Sequence, residues 1–403
     1  MSTKGPVLLP KFDPMNIGVL ENPYPTYAKL RESGPLCRGG PAQWVVTRYA
    51  EIAALLSDTR LGRQFPEAYY HFALGDGPAA TFIQRIILNR DPPSHGQLRN
   101  LMLTVFNARA VRSLANRIEA LVKDLLTPLF ERGRFDAVSD LAFPLPVSVI
   151  CELIGIPLAD RELVRPKAID LSKAFAAFVD DEHRLSANSS ILWLREYITM
   201  LLSERRKQPC NDMLSFMTDS EGSDKTLTQE DIVDNVLFLF FAGFETTTNL
   251  ISNGCAALLK HPHQLHRLRT DPSLIALAVQ EFMRYDAPIQ STARLALQPL
   301  DIGGRTIRKG RVLHLLLGSA NHDERQFTDP EMLDVGRHPN PHVSFGGGIH
   351  HCLGAALATL EGQILFSHLL GGCEVFESSG AALRQPSPTF RAYSRVPITV
   401  RAV

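Results

Sequence analysis

The sequence predicts a mainly α fold with small β-sheets. Three observations carry this. An unbroken helical pattern runs over residues 226–260, with no Gly or Pro until Gly243; at 1.5 Å per residue it is roughly 45–50 Å long, enough to cross a whole molecule. Amphipathic stretches of helical period recur at 108–130, 159–179 and 190–206. Strand-like runs are few and short: Trp44-Val45-Val46-Thr47, and 312–317. The length of 403 residues taken alone suggests two domains. Hydrophobic residues make up 45% and charged residues 21%, ordinary for a globular chain. Lys plus Arg and Asp plus Glu stand at 42 each, so no nucleic-acid or other polyelectrolyte partner is indicated.

In chain order, Pro-rich turns up to about residue 40 surround one short helix, Tyr24–Ser33, and 49–56 reads as a short amphipathic helix. From 61 to 89 the pattern is irregular: Gly62, Gly75, Gly77 and Pro78 interrupt a run holding Tyr69, Tyr70, Phe72, Phe82 and Ile86. In Asp91-Pro92-Pro93-Ser94-His95-Gly96-Gln97-Leu98-Arg99 the prolines stop one element and prime a helix, with Ser94 placed to cap it. His95 and Arg99 then share a face, and two cationic donors on one face suit an anion, although most such pairs are merely solvated. Residues 108–130 read as one regular helix and 147–153 as another, while Asp180-Asp181-Glu182 reads as a polar break between 159–179 and 190–206.

In the long helix, Thr228 is set to cap, with Glu230 and Asp231 in the first turn. Its middle is Ala242-Gly243-Phe244-Glu245-Thr246-Thr247-Thr248. Small Ala242 and Gly243 leave room for a planar group. Glu245 and Thr246 are polar in an apolar stretch, where an unpartnered group is costly; either they serve a function or they satisfy each other. Residues 273–285 form a helix on which Glu281 and Arg284 can pair. A hairpin through Gly303-Gly304, a buried strand at 312–317 and a polar loop at 321–340 follow.

The most informative stretch is Phe345-Gly346-Gly347-Gly348-Ile349-His350-His351-Cys352-Leu353-Gly354. Consecutive glycines allow close approach to a flat ligand and unusual backbone angles. They lead a cysteine to the start of a helix, where free N–H groups and the dipole favour the thiolate. A thiolate is a soft metal ligand and one of the axial ligands used for haem iron. The six cysteines, Cys37, Cys151, Cys210, Cys255, Cys352 and Cys373, form no CxxC pair, which suits free thiols in a reducing cytosol. The first 25 residues lack the apolar core of a signal peptide or membrane anchor.

This loop resembles the haem-binding signature of the cytochrome P-450 family: Phe, two residues, Gly, one residue, His, one residue, Cys, one residue, Gly. Phe345, Gly348, His350, Cys352 and Gly354 fill it, with Leu357 and Ala358 matching positions downstream. The resemblance extends over most of the chain and implies a single large helix-rich domain spanning 1–403. Its β-rich part would lie at about 36–60 and 289–320, and haem would sit between the helices the family labels I and L. It implies heme b on Cys352, with His95, Arg99 and Arg294 on the propionates and His350, Phe345, Gly354 and Ala242 completing the cofactor site. Glu245 and Thr246 would handle protons beside the oxygen site. Phe238, Phe241, Ile289, Phe390, Phe82 and Ile86 would wall the substrate, with Phe175, Phe178 and Trp193 in the roof. Glu281 and Arg284 would brace the cysteine loop. Met332 and Leu333 depart from the family's usual Arg and Phe, leaving Arg337 as the third partner for that pair; Ala356 and Thr359 replace a frequent Pro and Arg.

The implied activity is that of a soluble, cytoplasmic, monomeric monooxygenase of bacterial type. It would use O2 and electrons ultimately from NAD(P)H, delivered by ferredoxin and ferredoxin reductase or by flavodoxin. It would hydroxylate or epoxidise an apolar small molecule, a secondary metabolite such as a polyketide or macrolide intermediate. Three other readings stand beside it: a haem-thiolate sensor without turnover, a peroxide-driven variant, and a cofactor-free helical interaction protein. The Glu245–Thr246 pair argues against the first two.

Overall fold

The helix Gln229–Lys260 is the element around which the others pack, in a computed structural model that describes residues 9–175, 180–220 and 227–403. Thr228 starts it with a reciprocal cap: its hydroxyl accepts from the Asp231 N–H, and the Asp231 carboxylate accepts from the Thr228 N–H. Its 32 residues span about 48 Å. Buried side chains run from Ile232 to Leu258 on all sides, so the helix is enclosed rather than laid on a surface. Pro144–Ile154, Asp181–Lys207, Ile275–Tyr285 and Ala355–Gly371 enclose it. Two glycines admit these neighbours. A Cβ at Gly243 would come within 2.7 Å of Ile150, and one at Gly254 within 2.6 Å of Phe366. Gly243 is therefore required by helix packing on Ile150, and it also lies on the cavity wall beside Ala242.

Several elements differ from the sequence reading. The stretch 108–130 is two helices, Ala108–Ser113 and Ala115–Arg132, the first capped by the Asn107 side chain. The acidic tripeptide at 180–182 starts a helix instead of breaking one. Asp180 caps through the His183 N–H, and Asp181 and Glu182 occupy the first turn, where negative charge is favoured. The irregular stretch after residue 61 contains two helices, Glu67–Leu74 and Pro78–Arg85. Ser94 does not cap; it is the first residue of Ser94–Leu103, and its hydroxyl donates to the Asp91 carbonyl.

Five strands form the largest sheet, in the order Leu36–Arg38, Gln43–Val46, Val312–Leu315, Thr292–Ala296, Leu61–Gly62. Gln43–Val46 and Val312–Leu315 run parallel; the other pairings are antiparallel. The sheet brings the chain after Gly62 beside Thr292. Leu300–Ile302 and Arg305–Ile307 form the expected hairpin, with Gly303 and Gly304 at positive φ. A second sheet joins Arg134–Asp136, Pro397–Ala402 and Cys373–Ser378.

Glu281 and Arg284, both fully buried, make a two-pronged ion pair with both contacts at 2.8 Å. Arg337 Nε joins at 3.2 and 3.1 Å to the two Glu281 oxygens, and Asn340 Nδ2 donates to one of them. Arg337 thus occupies the position left open by Met332 and Leu333. Arg284 also donates to the carbonyls of Asn321 and Pro330, tying the 321–340 loop to the helix. Ser344 is fixed by Met283 O and Asn321 Nδ2 directly ahead of the glycine loop. Glu281→Ala leaves the buried Arg284 without a carboxylate, so it is expected to destabilise the protein by about 3–5 kcal/mol, read as a lower urea midpoint.

Candidate functional site

A cavity of about 1150 Å³ lies between the middle of the long helix and the loop ahead of Ala355–Gly371. Ala242 and Thr246 line one side; Phe345, Cys352 and Gly354 line the other. The Cys352 N–H donates to Phe345 O at 2.8 Å, closing the loop on itself. Gly346 and Gly348 have φ of +69° and +62°, and a Cβ on Gly348 would lie 2.6 Å from the Leu56 carbonyl oxygen. These glycines are needed for backbone angle and for packing on the end of Tyr49–Leu55.

The helix begins at Ala355, three residues beyond Cys352. Burial pushes the Cys352 thiol up, while the Gly354 N–H and Arg99 pull it down. The net direction is upward, opposite to the lowering that the sequence suggested, although the side chain is open to the cavity. A metal ion at sulfur deprotonates a thiol outright.

His95, Arg99, Arg294 and His350 meet along one stretch of the cavity wall, and Arg63 joins them. The His95 and His350 rings lie 4.5 Å apart, and Nε2 of each is buried with no hydrogen-bond partner. Burial, reinforced by Arg63, Arg294, His95 and Arg99, pushes His350 down to about 2. Burial with Arg63 nearby holds Arg294 down at about 9. Among the described residues no carboxylate forms an ion pair with Arg63, Arg99 or Arg294. Guanidiniums of this kind, Arg294 buried and Arg63 and Arg99 half-buried, call for bound anions. A thiol on one wall, small residues at Ala242 and Gly354, and guanidiniums without carboxylate partners at one edge fit an iron porphyrin with two propionates.

Thr246 Oγ1 donates to Ala242 O at 3.0 Å, within the preceding turn. Glu245 is not on the cavity wall. Its carboxylate accepts from Asn249 Nδ2 at 3.3 Å, and burial pushes its carboxyl up. No hydrogen bond joins Glu245 to Thr246, so the two do not satisfy each other. Phe238, Phe241, Ile289 and Phe390 all line the cavity. Phe175 stacks on Phe241 at 3.9 Å, and a backbone bridge pairs Ile289 with Phe390. Phe82 and Ile86 do not line it. Both are fully buried one layer back, with Phe82 edge-on to Phe175, while Ile83 and Ile87 present the apolar surface. Trp193 stacks on Tyr197 away from the cavity, and Phe178 lies outside the described residues.

The sequence profile of the family described as Cytochrome P-450 matches residues 166–393, more than half of the chain. The chain belongs to the cytochrome P-450 family. It is 37% identical over 385 residues to the biotin biosynthesis cytochrome P-450 of Bacillus subtilis, covering 94% of this chain and 96% of that protein. It is 35% identical to the cytochrome P-450 monooxygenase PikC of Streptomyces venezuelae, covering 94% and 91%. The crystal structure of CalO2 matches with a TM-score of 0.92 at 32% identity, covering 97% and 98%. That of P-450 BioI in complex with hexadec-9Z-enoic acid ligated acyl carrier protein matches at 0.88 and 36%, covering 95% and 100%. The protein is accordingly a haem-thiolate monooxygenase of bacterial type, in a family that uses haem with O2 and NAD(P)H-derived electrons. Among the described residues no helix is long and apolar enough to cross a membrane.

Among the cavity residues of this P-450 that were not picked out in the sequence, two carry a charge-bearing group of note. One is Arg63. The other is Glu361, which is 2% exposed and lines the cavity with Oε2 unpartnered. Leu357, Glu361, Leu365 and Leu369 share the buried face of one helix at spacing four. A lone carboxylate on that stripe was the available signal.

Gly348→Ala is expected to destabilise the holoprotein by more than about 2 kcal/mol, from backbone strain plus the Leu56 clash. Gly304→Ala, also at positive φ but facing open space, isolates the strain alone; comparing their denaturant midpoints checks this. Burial raises the Glu361 carboxyl well above the ordinary 4.5. Above that value the unfolded chain releases the proton and the fold keeps it, so stability falls as pH rises, by at most about 1.4 kcal/mol per pH unit. Glu361→Gln should therefore flatten the stability–pH curve above the ordinary carboxyl range and exceed the parent in stability at neutral pH.

Proposed function

We propose that Cys352 is the axial ligand of heme b and that His95, Arg99, Arg294 and His350 bind its propionates. The observation that carries this is the joining of one thiol, one cationic edge without carboxylate partners and Thr246 in a single cavity. When bound, the haem supplies O2 activation and oxidation of a substrate C–H or C=C bond, drawing two electrons from a separate donor. Phe345 and Gly354 shape the sulfur side, and Ala242 keeps the other face open. Thr246 holds a water in the cavity by exchanging its bond to Ala242 O, and Glu245, whose carboxyl is raised by burial, serves as a proton source by turning from Asn249 toward the cavity.

Phe238, Phe241, Ile289 and Phe390 select a medium-to-large apolar substrate. A secondary metabolite such as a polyketide or macrolide intermediate suits the cavity, and a relative in Bacillus subtilis, named polyketide biosynthesis cytochrome P-450 PksS, supports that class. Delivery on a carrier protein is supported by the BioI complex. Electrons come from a ferredoxin and its reductase, or from a flavodoxin. The six free cysteines suit a monomeric enzyme in the reducing cytoplasm.

Cys352→Ala is expected to remove the thiolate signature from the reduced, CO-bound spectrum; an unchanged spectrum refutes the ligand assignment. Thr246→Ala should keep haem bound yet lower product formation by roughly 10²-fold, with the reducing equivalents appearing as peroxide. Measuring product and peroxide per NAD(P)H consumed checks this.

A further inference from the structure

The family signature draws on His95, Arg99, Arg294 and His350 and leaves Arg63 unexplained. Its backbone is held rigidly. The Asp91 carboxylate accepts from the N–H groups of Arg63 at 2.8 Å and Gln64 at 3.1 Å. Residue 62 must be glycine, since a Cβ there would lie 2.3 Å from Asp91 Oδ2. Gly62 in turn pairs with Leu295 at the edge of the large sheet. These contacts aim the Arg63 side chain at the cavity.

There its Nη1 donates to Thr292 Oγ1, the same hydroxyl that accepts from Arg294 Nη1 at 3.0 Å. Arg63 Nε is buried and has no partner. Asp91 is occupied by backbone N–H groups, and among the described residues no carboxylate pairs with the guanidinium. Two guanidiniums meeting at one neutral hydroxyl repel each other unless an anion lies between them. Burial holds Arg63 down at about 10, offset only in part by Tyr70, Tyr69 and the Asp91 carboxylate.

We propose that Arg63 binds a carboxylate at this edge of the cavity, either a haem propionate or the acidic end of a substrate. The proposal rests on the haem reading above and adds a third guanidinium to the two that it assigns to the propionates. It has a structural corollary. Phe65, Tyr69, Tyr70 and Phe72 follow Arg63 directly and line the cavity, so the ion pair fastens that segment across it.

The test uses haem-loaded wild type, Arg63→Gln and Arg63→Lys. The reduced, CO-bound spectrum first verifies thiolate-ligated haem. If wild type lacks that spectrum, the haem reading itself fails. The first arm measures haem transfer to excess apomyoglobin. A propionate partner predicts haem loss about tenfold faster in Arg63→Gln, with Arg63→Lys in between. The second arm titrates a long-chain fatty acid and the matching primary alcohol by the haem spin-state shift. A substrate partner predicts that wild type favours the acid about tenfold, that Arg63→Gln abolishes the preference, and that haem loss is unchanged. Where neither compound shifts the spectrum, haem loss alone decides. Unchanged haem loss and unchanged ligand preference in both variants overturn the proposal.

Discussion

The buried Glu281 carboxylate, shared between Arg284 and Arg337, fixes the scaffold on which the site depends. Neither charge is solvated, so each demands the other, and the demand is met only when three separate segments converge. The helix supplies Glu281 and Arg284; the loop beyond residue 321 supplies carbonyls and Arg337; Ser344 then enters the glycine loop with its hydroxyl already held. The position of Cys352 is thus set from behind by an ion network that never touches the cavity. The substitution of Met332 and Leu333 for other residue types is tolerated because Arg337 reaches the same carboxylate from five positions further along.

Charge organises the cavity in the opposite way. At Glu281 the cations and the anion are all protein groups, and the arrangement is closed. At the rim the protein contributes the guanidiniums of Arg63, Arg99 and Arg294 and the imidazole donors of His95 and His350, with no carboxylate paired to them among the described residues. An arrangement of this kind is poor for folding alone and good for binding: stability is withheld until an anionic ligand completes it. The raised Cys352 thiol follows the same logic, since its deprotonated form is disfavoured until a metal ion shares the charge.

Features with local causes were legible in the sequence. The Cys352 loop, the Thr228 cap and the Gly303-Gly304 hairpin are written in consecutive residues, and their spacing is their mechanism. Features with distant causes were not. Arg63 acquires its neighbours through the pairing of Leu61–Gly62 with Thr292–Ala296, across more than two hundred residues of chain. Phe82 and Ile86 were one helical step out of phase with the wall, which Ile83 and Ile87 provide. The acidic run at 180–182 reads in the sequence as a polar break between two helices, whereas its position at a helix start makes its charge favourable. Glu361 escaped because its neighbours are unremarkable until the helical stripe they form is drawn.

Asn253 lies two turns beyond Thr246 on the long helix, and its side-chain amide donates to the carbonyls of Asp286 and Arg391. The turn that presents Phe390 is therefore bolted to the same rigid rod that carries Thr246. A bound molecule leaning on Phe390 is measured against a fixed ruler, so the carbon brought nearest the reacting centre depends on the length and shape of that molecule rather than on movement of the wall. Regioselectivity in this enzyme is, on that geometry, a property of where the ruler's zero lies.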